Sequence, residues 1–444
     1  MNSEVEEIKS RLNIVDVLSE YIHLEKAGAN WRAICPFHHE KTPSFMVNEE
    51  KQIWHCFGCG KGGDIFSFVM EMEGLEFREA LKMLAEKAGV KIKNYNPQKF
   101  KKKNRILEIL ELATKFWEIQ LWKGMGKDKI LDYLHQRGLQ DETIKKFRLG
   151  YAPSGWRNML KFLVKRGYKL EEIAKTGLLV NKGNMTLQDN QISQAYDRFR
   201  NRIIFPMAEC AGRVVGFSAR IAPGGDESQA KYINTPETEV YHKSRILYGM
   251  DKAKSEIKQK NWLLLVEGNM DVIATSQAGI ENVVAVSGTA LTEEQIGIIK
   301  RYTRHLKMFF DMDKAGEIAT KKSVKICLAK EMNVQIVILP FGKDAAEIAK
   351  DNPDKLKEAV KKSLNVMEYF FQRVFKKFDK NKVEDKEKIA EELLDIIADL
   401  ENAVEKEYWL KKLSEKLEIS QTALADSLKK LKLEKRIKKD KDFD

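Results

Sequence analysis

The sequence predicts a multidomain protein that combines α+β and α/β parts. Three observations support this fold class. Two pairs of cysteine and histidine residues flank short strands near the N-terminus, a middle segment combines basic residues with short strands, and a later segment alternates apolar strands with helices. With 444 residues the chain is too long for one ordinary core, so several domains are expected.

The N-terminal part carries two knuckles of paired side chains. Cys35 and His38 are separated by two residues, as are Cys56 and Cys59, and seventeen residues lie between the two pairs. Four ligands at this spacing are typical of a closed tetrahedral zinc site. The stretches "SFMV" and "QIWHCF" between the pairs read as short strands, so a β-ribbon is expected. We therefore predict one structural zinc ion per chain.

Two further histidines stand near the knuckles, and a helix precedes them. His39 and His55 break the two-residue spacing and are interpreted as bystanders. Apolar residues recur at helical spacing over residues 4–22, which predicts a helix there. Two more helices are expected after the ribbon, the second of them ending at Gly89.

Changes in composition along the chain indicate the domain boundaries. A polar, basic stretch around Pro97 reads as a linker, and the later segments differ in their strand and helix patterns. The predicted parts are a zinc-binding domain at 1–92, a linker at 93–104, a basic α+β part at 105–261, a parallel-sheet α/β part at 262–362, a helical segment at 363–435 and a basic tail at 436–444.

The composition of the chain indicates which binding partners and which cellular compartment to expect. The chain has 78 basic and 66 acidic residues, a formal charge of +12, which favours partners that carry phosphate. It has no apolar run of membrane length and no signal peptide, so a cytoplasmic location without membrane contact is expected. Cys210 and Cys327 have no partner nearby in sequence, which together with a thiolate zinc site favours a reducing compartment.

Carboxylates directly follow three of the predicted parallel strands. Glu267 follows "WLLLV", Asp311 and Asp313 follow "LKMFF", and Asp344 comes after "VQIVIL". Because the carboxyl ends of parallel strands meet at one edge of a sheet, these acids are expected to converge. Clustered carboxylates repel unless a divalent cation lies between them, and all-oxygen ligands favour Mg²⁺ or Mn²⁺. The alternative, that such acids only cap helices, stays open for Asp271 and Asp313 taken alone.

Four stretches of this segment resemble the successive motifs of the Toprim domain, which bacterial primases, topoisomerases and some nucleases share. They are "VEGNMDVIA", "AVSGTALT", "FDMDKAGEIA" and "LPFGKDAAE". The resemblance implies that Glu267, Asp311 and Asp313 are catalytic. It also implies that these three residues, together with Asp344, hold a pair of Mg²⁺ or Mn²⁺ ions.

The neighbouring segments narrow the resemblance. "CPFHHEKTPSF" with "CFGCGKGGD" resembles the N-terminal zinc ribbon of DnaG-type bacterial primases. "YDRFRNRIIFPM", "GRVVGFSAR" and "KYINTPETEVYHKSRILYG" resemble the basic part that precedes Toprim in that family. The resemblance implies synthesis of short RNA primers on single-stranded DNA by metal-dependent nucleotidyl transfer from ribonucleoside triphosphates. A non-catalytic or recombination-type DNA-binding protein and a topoisomerase-like enzyme are the alternatives.

Basic and aromatic side chains are the candidates for contact with nucleic acid. In the basic part, cationic side chains could hold template or triphosphate; they are Arg198, Arg202, Arg220, Lys231 and Lys243. Tyr232 and Phe217 could stack on bases, although core packing is the favoured interpretation of both. In the ribbon, the resemblance implies that exposed aromatic and basic residues read the template; the candidates are Phe45, Lys51, Trp54, Phe57 and Lys61. For Trp54 and Phe57, packing inside the ribbon is the open alternative.

Two departures from the family pattern carry further expectations. Ala346 stands where the family usually has a second aspartate, and Glu347 is the residue that could replace it as a ligand. The family also usually continues into a helical domain that docks on the replicative helicase. We expect that docking domain to be absent from this chain, and we expect the protein to be a monomer.

Overall fold

The computed structural model describes residues 2–38, 40, 42–73, 75, 77–91, 97–181, 195–226, 228–286, 290–310, 314–338 and 344–441. The chain folds as two compact units. The first comprises Met1–Asn104 and Cys210–Gly212, and the second comprises Arg105–Glu209 and Arg213–Asp444. The predicted fold class, a mixture of α+β and α/β parts, is confirmed.

The first unit is a small antiparallel sheet with helices before and after it. Its elements are α1 (Asn2–Arg11), α2 (Ile14–Ser19), β1 (Glu25–Ala27), β2 (Asn30–Ala33), β3 (Phe45–Asn48), β4 (Ile53–Cys56), β5 (Gly62–Gly63), α3 (Ile65–Glu73) and α4 (Phe77–Ala88). The strands pair in sequence order. The helix predicted over 4–22 is two helices, because the Asn13 side chain accepts the Val15 N–H at 2.8 Å and starts α2 afresh.

A long helix, α5 (Pro97–Trp122), begins inside the predicted linker. Proline is well suited to the first turn of a helix, where its missing N–H costs nothing. The lysine, glutamine and arginine residues that follow have good helix propensity. A run that reads as a charged, extended connection is therefore helical from residue 97 onward.

The second unit opens with helices and an antiparallel sheet. Its first elements are α6 (Lys129–Gln136), α7 (Asp141–Lys146), β6 (Gly150–Ala152), α8 (Asn158–Val164), α9 (Leu170–Ala174), β7 (Leu179–Asn181), β8 (Ala195–Asp197), β9 (Arg202–Ala208), β10 (Val214–Ile221) and β11 (Tyr232–Asn234). The main sheet has the order β11-β10-β9-β6, and β7 pairs with β8. Residues of β9 are buried on both faces, so this sheet lies inside the unit.

A parallel sheet with helical crossovers follows. The elements are α10 (Met250–Lys260), β12 (Leu263–Val266), α11 (Asn269–Gln277), β13 (Val283–Ala285), α12 (Glu293–Ile299), β14 (His305–Met308), α13 (Lys314–Ala329), β15 (Asn333–Ile336), α14 (Ala345–Asp351), α15 (Pro353–Lys361) and β16 (Leu364–Asn365). The order is β13-β12-β14-β15-β16, and only the last pair is antiparallel. Strand β12 is wholly buried, as expected of a parallel sheet covered on both faces.

Both sheets of the second unit share one apolar core. Phe205 of β9 belongs to the same buried cluster as Leu264 and Val266 of β12. Tyr248 also exchanges backbone hydrogen bonds with Ala285 of β13 at 2.9 and 3.1 Å. The antiparallel sheet is therefore held in a fixed place beside the parallel sheet.

Four helices complete the described chain: α16 (Val366–Lys377), α17 (Val383–Ile397), α18 (Ala403–Leu417) and α19 (Gln421–Lys441). Trp409 of α18 packs on Phe371 of α16, with ring centroids 5.2 Å apart. Asp395 of α17 accepts ion pairs from Lys321 and Lys325 of α13, at 3.0 and 2.6 Å, and so ties this segment to the parallel-sheet part. Within the described ranges, no helix has both the length and the apolar character required to cross a bilayer.

Candidate metal centres and nucleic-acid interface

The two knuckles of the ribbon bring the four predicted zinc ligands together. Cys35 and His38 lie in the turn after β2, Cys56 ends β4, and Cys59 lies in the turn that follows. Their ligand atoms all lie within 4.8 Å of one another. The Sγ atoms of Cys35 and Cys59 are 3.9 Å apart, and Nδ1 of His38 is 3.8 Å from Sγ of Cys56. A tetrahedral zinc ion with Zn–S bonds of about 2.3 Å spaces its sulfur ligands at roughly 3.8 Å, so this cluster fits the ion.

The surroundings of the two most buried thiols of this cluster shift their pKa values in opposite directions. Burial raises the pKa of Cys35 to about 12. Burial also acts to raise the pKa of Cys56, but hydrogen bonds, first that of Ser44, lower it overall. A divalent cation would replace the protons and hold the sulfurs as thiolates. Of the two predicted bystanders, His55 is exposed on β4, and His39 lies outside the described residues.

The structure separates the aromatic candidates of the ribbon into buried and exposed residues. Phe45 and Trp54 are buried and stacked, with centroids 4.9 Å apart, so they form the ribbon core and we no longer consider them template readers. Phe57, in the knuckle itself, is 75% exposed. Lys51 is exposed as well, whereas Lys61 pairs with Glu71 at 2.6 Å.

The structure describes two of the predicted acids, Glu267 and Asp344, and each lies close to the start of a helix in the parallel-sheet part. Glu267 follows β12 and is partly buried. Asp344 precedes α14, where its side chain accepts the Glu347 N–H at 2.7 Å. Strand β14 lies between β12 and β15 in the sheet. Asp311 and Asp313, which come after β14 in sequence, lie outside the described residues.

Asp271 caps helix α11, as the helix-cap alternative for this residue predicted, and it also makes a contact distant in sequence. Its carboxylate accepts the Gly268 N–H at 3.0 Å and the Ala346 N–H at 3.2 Å. It therefore links the start of α11, beside Glu267, to the start of α14. The first contact follows from an acid at the third position of a helix. The second joins residues 75 apart, and no local pattern could have predicted it.

The basic candidates differ in how far their side chains are buried and hydrogen-bonded within the protein. Arg202 is 3% exposed, and its guanidinium donates to the carbonyls of Ala219 and Ala230 at 3.5 and 3.0 Å. Its prediction as a template or triphosphate contact is therefore corrected, because this arginine ties strand β9 to its neighbours. Arg198 donates to the Gly177 carbonyl at 2.9 Å and is partly buried, so its contact with nucleic acid stays a prediction.

Arg220 lies on strand β10 of the antiparallel sheet, close to two tyrosine rings. It pairs in register with Tyr232, and its guanidinium lies 5.5 Å from the ring of Tyr133 and 5.9 Å from that of Tyr232. Partial burial raises the pKa of Tyr232, Arg220 opposes that shift, and the carboxylate of Asp271 adds to it. Arg220 is thus paired with Tyr232 on the antiparallel sheet, and Asp271, at the start of α11, adds a negative charge to the surroundings of the same tyrosine.

The remaining candidates occupy different positions. Lys231 is exposed just before β11. Lys243 begins a short 3₁₀ turn whose backbone is held by Glu237, which accepts the Lys243 N–H at 2.8 Å. Phe217 is fully buried, as the core interpretation predicted, whereas Tyr232 remains 38% exposed.

A second aromatic and basic cluster was not predicted as a unit. Trp156 is 60% exposed and packs edge-on against Tyr196, with centroids 5.3 Å apart. The guanidinium of Arg200 lies 4.3 Å from the Trp156 ring and 4.9 Å from the Tyr196 ring. Trp156 is forty residues from Tyr196 in sequence, so only the fold reveals this platform.

Comparison with known proteins decides the family. A curated DNA primase of Clostridium acetobutylicum is 36% identical over 431 residues, which cover 95% of this chain and 69% of the relative. The chain belongs to the DnaG-type bacterial DNA primases. A DNA primase of Staphylococcus epidermidis is 40% identical over 80% of this chain and 59% of its own length. The chain thus spans 69% of the first primase and less than two thirds of the second.

Solved primase structures have the same fold. The zinc-binding and RNA polymerase domains of the Aquifex aeolicus primase match with a TM-score of 0.62 and 31% identity, covering 95% of this chain and 98% of that one. A DnaG primase catalytic domain bound to ssDNA matches with a TM-score of 0.63 and 28% identity, covering 72% of this chain and 99% of that one. The predicted family and fold are confirmed.

Domain families match successive parts of the primase chain. They are described as the CHC2 zinc finger at residues 1–100, the DNA primase catalytic core, N-terminal domain, at 116–254, and a Toprim-like domain at 264–349. These matches do not favour the recombination-type and topoisomerase-like alternatives. They support zinc in the ribbon and a divalent metal at the Toprim edge.

One prediction about partners was wrong. A family described as the DnaB-helicase binding domain of primase matches residues 367–422. The expectation that the docking domain is absent was based on chain length. Helices α16, α17 and α18, which the sequence predicted only as a charged helical segment, coincide with this domain.

Proposed function

We propose that this chain is itself a working primase that joins ribonucleoside triphosphates into a short RNA primer on single-stranded DNA. One observation carries the proposal. Arg220, on the antiparallel sheet, and Asp271, at the start of α11 beside the parallel sheet, both act electrostatically on Tyr232, and the two sheets share one core. Template and triphosphates need cations, and nucleotidyl transfer needs carboxylate-held metal, so the enzyme requires both features in one place.

The aromatic and basic platform of Trp156, Tyr196 and Arg200 is suited to the template. An exposed tryptophan offers a π face to an unpaired base, and stacking of this kind contributes about 1–3 kcal/mol per base. The neighbouring guanidinium can form hydrogen bonds with a phosphate of the template backbone. A related catalytic domain has been solved bound to ssDNA, which supports this assignment. In the ribbon, we propose Phe57 and Lys51 as the template readers.

The acids suit a hard divalent cation. We propose that Glu267, Asp311, Asp313 and Asp344 hold two Mg²⁺ or Mn²⁺ ions, because carboxylate oxygens are the ligands these ions prefer. When bound, such ions lower the pKa of a 3′-hydroxyl and neutralise the leaving pyrophosphate. Asp271 shapes the edge by holding the N–H groups of Gly268 and Ala346. Arg220 is placed to orient the triphosphate beside these acids.

Three further assignments accompany the proposal. We propose that α16, α17 and α18 dock on a DnaB-type replicative helicase, because the matched family carries that description. Val404 and Tyr408, one turn apart on α18, are 79% and 56% exposed and are available to such a partner. Three ligand thiols and two further free cysteines suit a reducing compartment, and we place the protein in the cytoplasm. The monomeric state stays a prediction.

Primer synthesis on templates of defined sequence tests the proposed function. The protein is incubated with single-stranded DNA, Mg²⁺ and labelled ribonucleotides, and the products are sized and sequenced. We expect short RNA complementary to the template, lost in Glu267→Gln and retained in the control Glu256→Gln, which alters an acid on α10. Products that do not depend on the template, or parental synthesis by Glu267→Gln, would overturn the proposal.

A further inference from the structure

The ribbon contains an acid, Glu40, whose carboxylate lies among the zinc ligands without being one of them. Its side chain is only 10% exposed. Oε1 accepts the backbone N–H groups of Cys35 and Ser44 at 2.7 and 3.2 Å. Oε2 accepts the Ser44 hydroxyl at 2.5 Å and lies 3.1 Å from Nε2 of His38. The two oxygens therefore serve different groups: one holds the loop backbone, and the other faces the histidine ring.

The orientation of His38 gives the second oxygen a specific consequence. Its Nδ1 faces the sulfur of Cys56 at 3.8 Å, so Nδ1 is the atom directed at the metal position. A neutral imidazole carries one proton, and the nitrogen that binds metal must be the one without it. The proton must then be on Nε2, from where it can be donated to Oε2 of Glu40. A carboxylate only accepts hydrogen bonds, so Glu40 favours this tautomer over the other.

The backbone of the second knuckle also lies close to this end of the ring. A Cβ atom at Gly58 would lie 2.6 Å from Nε2 of His38 and 2.8 Å from Oγ of Ser44. Both distances are shorter than any normal non-bonded contact, so a side chain at residue 58 would push the ring out of line. The Nε2 end of the imidazole therefore lies close to both the Gly58 backbone and the Glu40 carboxylate.

We propose that Glu40 is the positioning residue of the zinc site: it sets the tautomer of His38 so that Nδ1 binds zinc. Through Oε1 it also fixes the backbone of Cys35, a second ligand. Partners of this kind, behind a metal-binding histidine, change metal affinity by about 10- to 100-fold when they are removed. The inference concerns zinc retention and does not depend on primer synthesis.

Glu40→Gln separates the tautomer role from the loop role. In glutamine, the carbonyl oxygen can replace Oε1 and still accept the N–H groups of Cys35 and Ser44, and the Ser44 hydroxyl, which donates to Oε2 in the parent, can accept from the amide instead. The amide NH₂ then replaces Oε2 and presents donors to Nε2 of His38. Because two donors cannot share a hydrogen bond, the ring must lose this bond or adopt the opposite tautomer, whose protonated Nδ1 cannot bind zinc. A residue that only braces the loop would tolerate this substitution.

The affinity of the full chain for zinc is measured by competition with a chromogenic chelator. We expect Glu40→Gln to bind zinc about 10- to 100-fold more weakly than the parent, and Glu40→Ala at least as weakly as Glu40→Gln. The matched control is Glu50→Gln, an exposed acid of the same ribbon, which should bind zinc with parental affinity. Parental affinity in Glu40→Gln, within about twofold, would overturn the proposal.

A spectroscopic measurement separates positioning from loss of fold. In ¹⁵N-histidine-labelled protein saturated with zinc, the parent should show His38 with its proton on Nε2 and protected from exchange with water. Glu40→Gln, refilled at high zinc concentration, should show that proton unprotected or absent. A protected Nε2 proton in the variant would overturn the tautomer role. If excess zinc fails to restore the site, Glu40 supports only the fold of the loop, which also contradicts the proposal.

Gly58→Ala tests the ring position independently. Its Cβ would collide with the imidazole, so we expect zinc affinity to fall even with Glu40 intact. Gly297→Ala is the control, because no atom lies within 4 Å of the Cβ position at Gly297. Unchanged zinc affinity in Gly58→Ala would show that the ring is not held as inferred.

Discussion

Arg148 holds helix α5 against the start of strand β6 and supports a clear prediction about stability. Its guanidinium donates twice to Glu111, at 2.9 Å each, and twice to Glu118, at 3.2 and 3.1 Å. The side chains of Arg148, Glu111 and Glu118 are 29%, 38% and 25% exposed, so water screens the network only partly. Arg148→Ala removes all four bonds and leaves two carboxylates without their shared cation.

The expected loss lies between two limits. Surface ion pairs contribute about 0–1 kcal/mol, whereas breaking a fully buried pair costs about 3–5 kcal/mol. For this half-buried, doubly bidentate network we expect about 2 kcal/mol, which corresponds to a Tm lower by about 4 °C. Arg148→Lys should recover less than half of the loss, because an ammonium cannot form the paired bonds of the guanidinium.

Thermal unfolding of the parent and the variants checks this value. The control is Arg304→Ala, which removes an exposed pair with Glu331 at 3.9 Å and should change the Tm by less than about 1 °C. If Arg148→Ala unfolds at the same temperature as this control, the network does not stabilise the fold and the reasoning is refuted.

The pH dependence of the difference adds a second check. Burial alone would raise the pKa of Glu111, but Arg148 lowers it below its ordinary value of 4.5. A carboxyl whose pKa is lowered by folding stabilises the protein above its unfolded pKa, and this contribution is lost as the pH falls through the folded pKa. The gap between parent and Arg148→Ala should therefore narrow below about pH 4.5. A gap that stays constant to pH 3 would contradict the assigned cause.

Three further predictions concern the metal centres and the basic sheet. Cys59→Ser should lose the one zinc ion per chain and unfold the ribbon, because so small a core does not persist without metal; full zinc retention by metal analysis would exclude this ligand set. Arg220→Ala and Lys231→Ala should each lower the salt slope of single-strand affinity by about 0.7 with the fold intact, and unchanged slopes in both would place these residues away from phosphate. Glu347→Ala should raise the Mg²⁺ concentration needed for activity and Ala346→Asp should lower it, whereas two silent variants would show that no third ligand is used there.

Local patterns predicted the parts of this protein that local chemistry controls. The spacing of Cys35, His38, Cys56 and Cys59 depends on the geometry of two local turns. The zinc site could therefore be predicted without knowledge of contacts between distant residues. The alternation of strands and helices around Glu267 predicted the parallel sheet for the same reason. Helix boundaries were less predictable, because one side chain, Asn13, starts a new helix where hydrophobic periodicity continues.

The features that the sequence did not reveal depend on contacts between distant residues. Trp156 and Arg200 form a platform only after β8 returns beside α8, and Asp271 reaches Ala346 only across the sheet edge. No sequence pattern marked Glu40, because its proposed role depends on the atoms that its two carboxylate oxygens contact in the folded ribbon. Arg202 looked like its neighbours in sequence, yet burial between strands removes it from the surface.

The prediction that the helicase-binding domain is absent was wrong for a different reason. The sequence predicted a helical segment at 363–435, and the structure has helices there. The pattern of apolar and charged residues in such helices predicts which face is buried in the core. It does not identify a binding partner, since any solvent-facing helix has charged residues on its outer face. The expectation that the docking domain is absent was based on chain length and not on the surface of these helices. Chain length does not show which domains a chain contains.

The rate of the first phosphodiester bond on a single-stranded template tests the central claim most directly, namely that the carboxylate edge is the site of nucleotidyl transfer. The measurement compares the parent with Asp311→Ala, and template binding is recorded in parallel. We expect Asp311→Ala to bind template within about twofold of the parent and to form the bond at least about 100-fold more slowly, because the variant lacks the carboxylate that we propose as a metal ligand. Bond formation by Asp311→Ala at the parental rate would contradict the account.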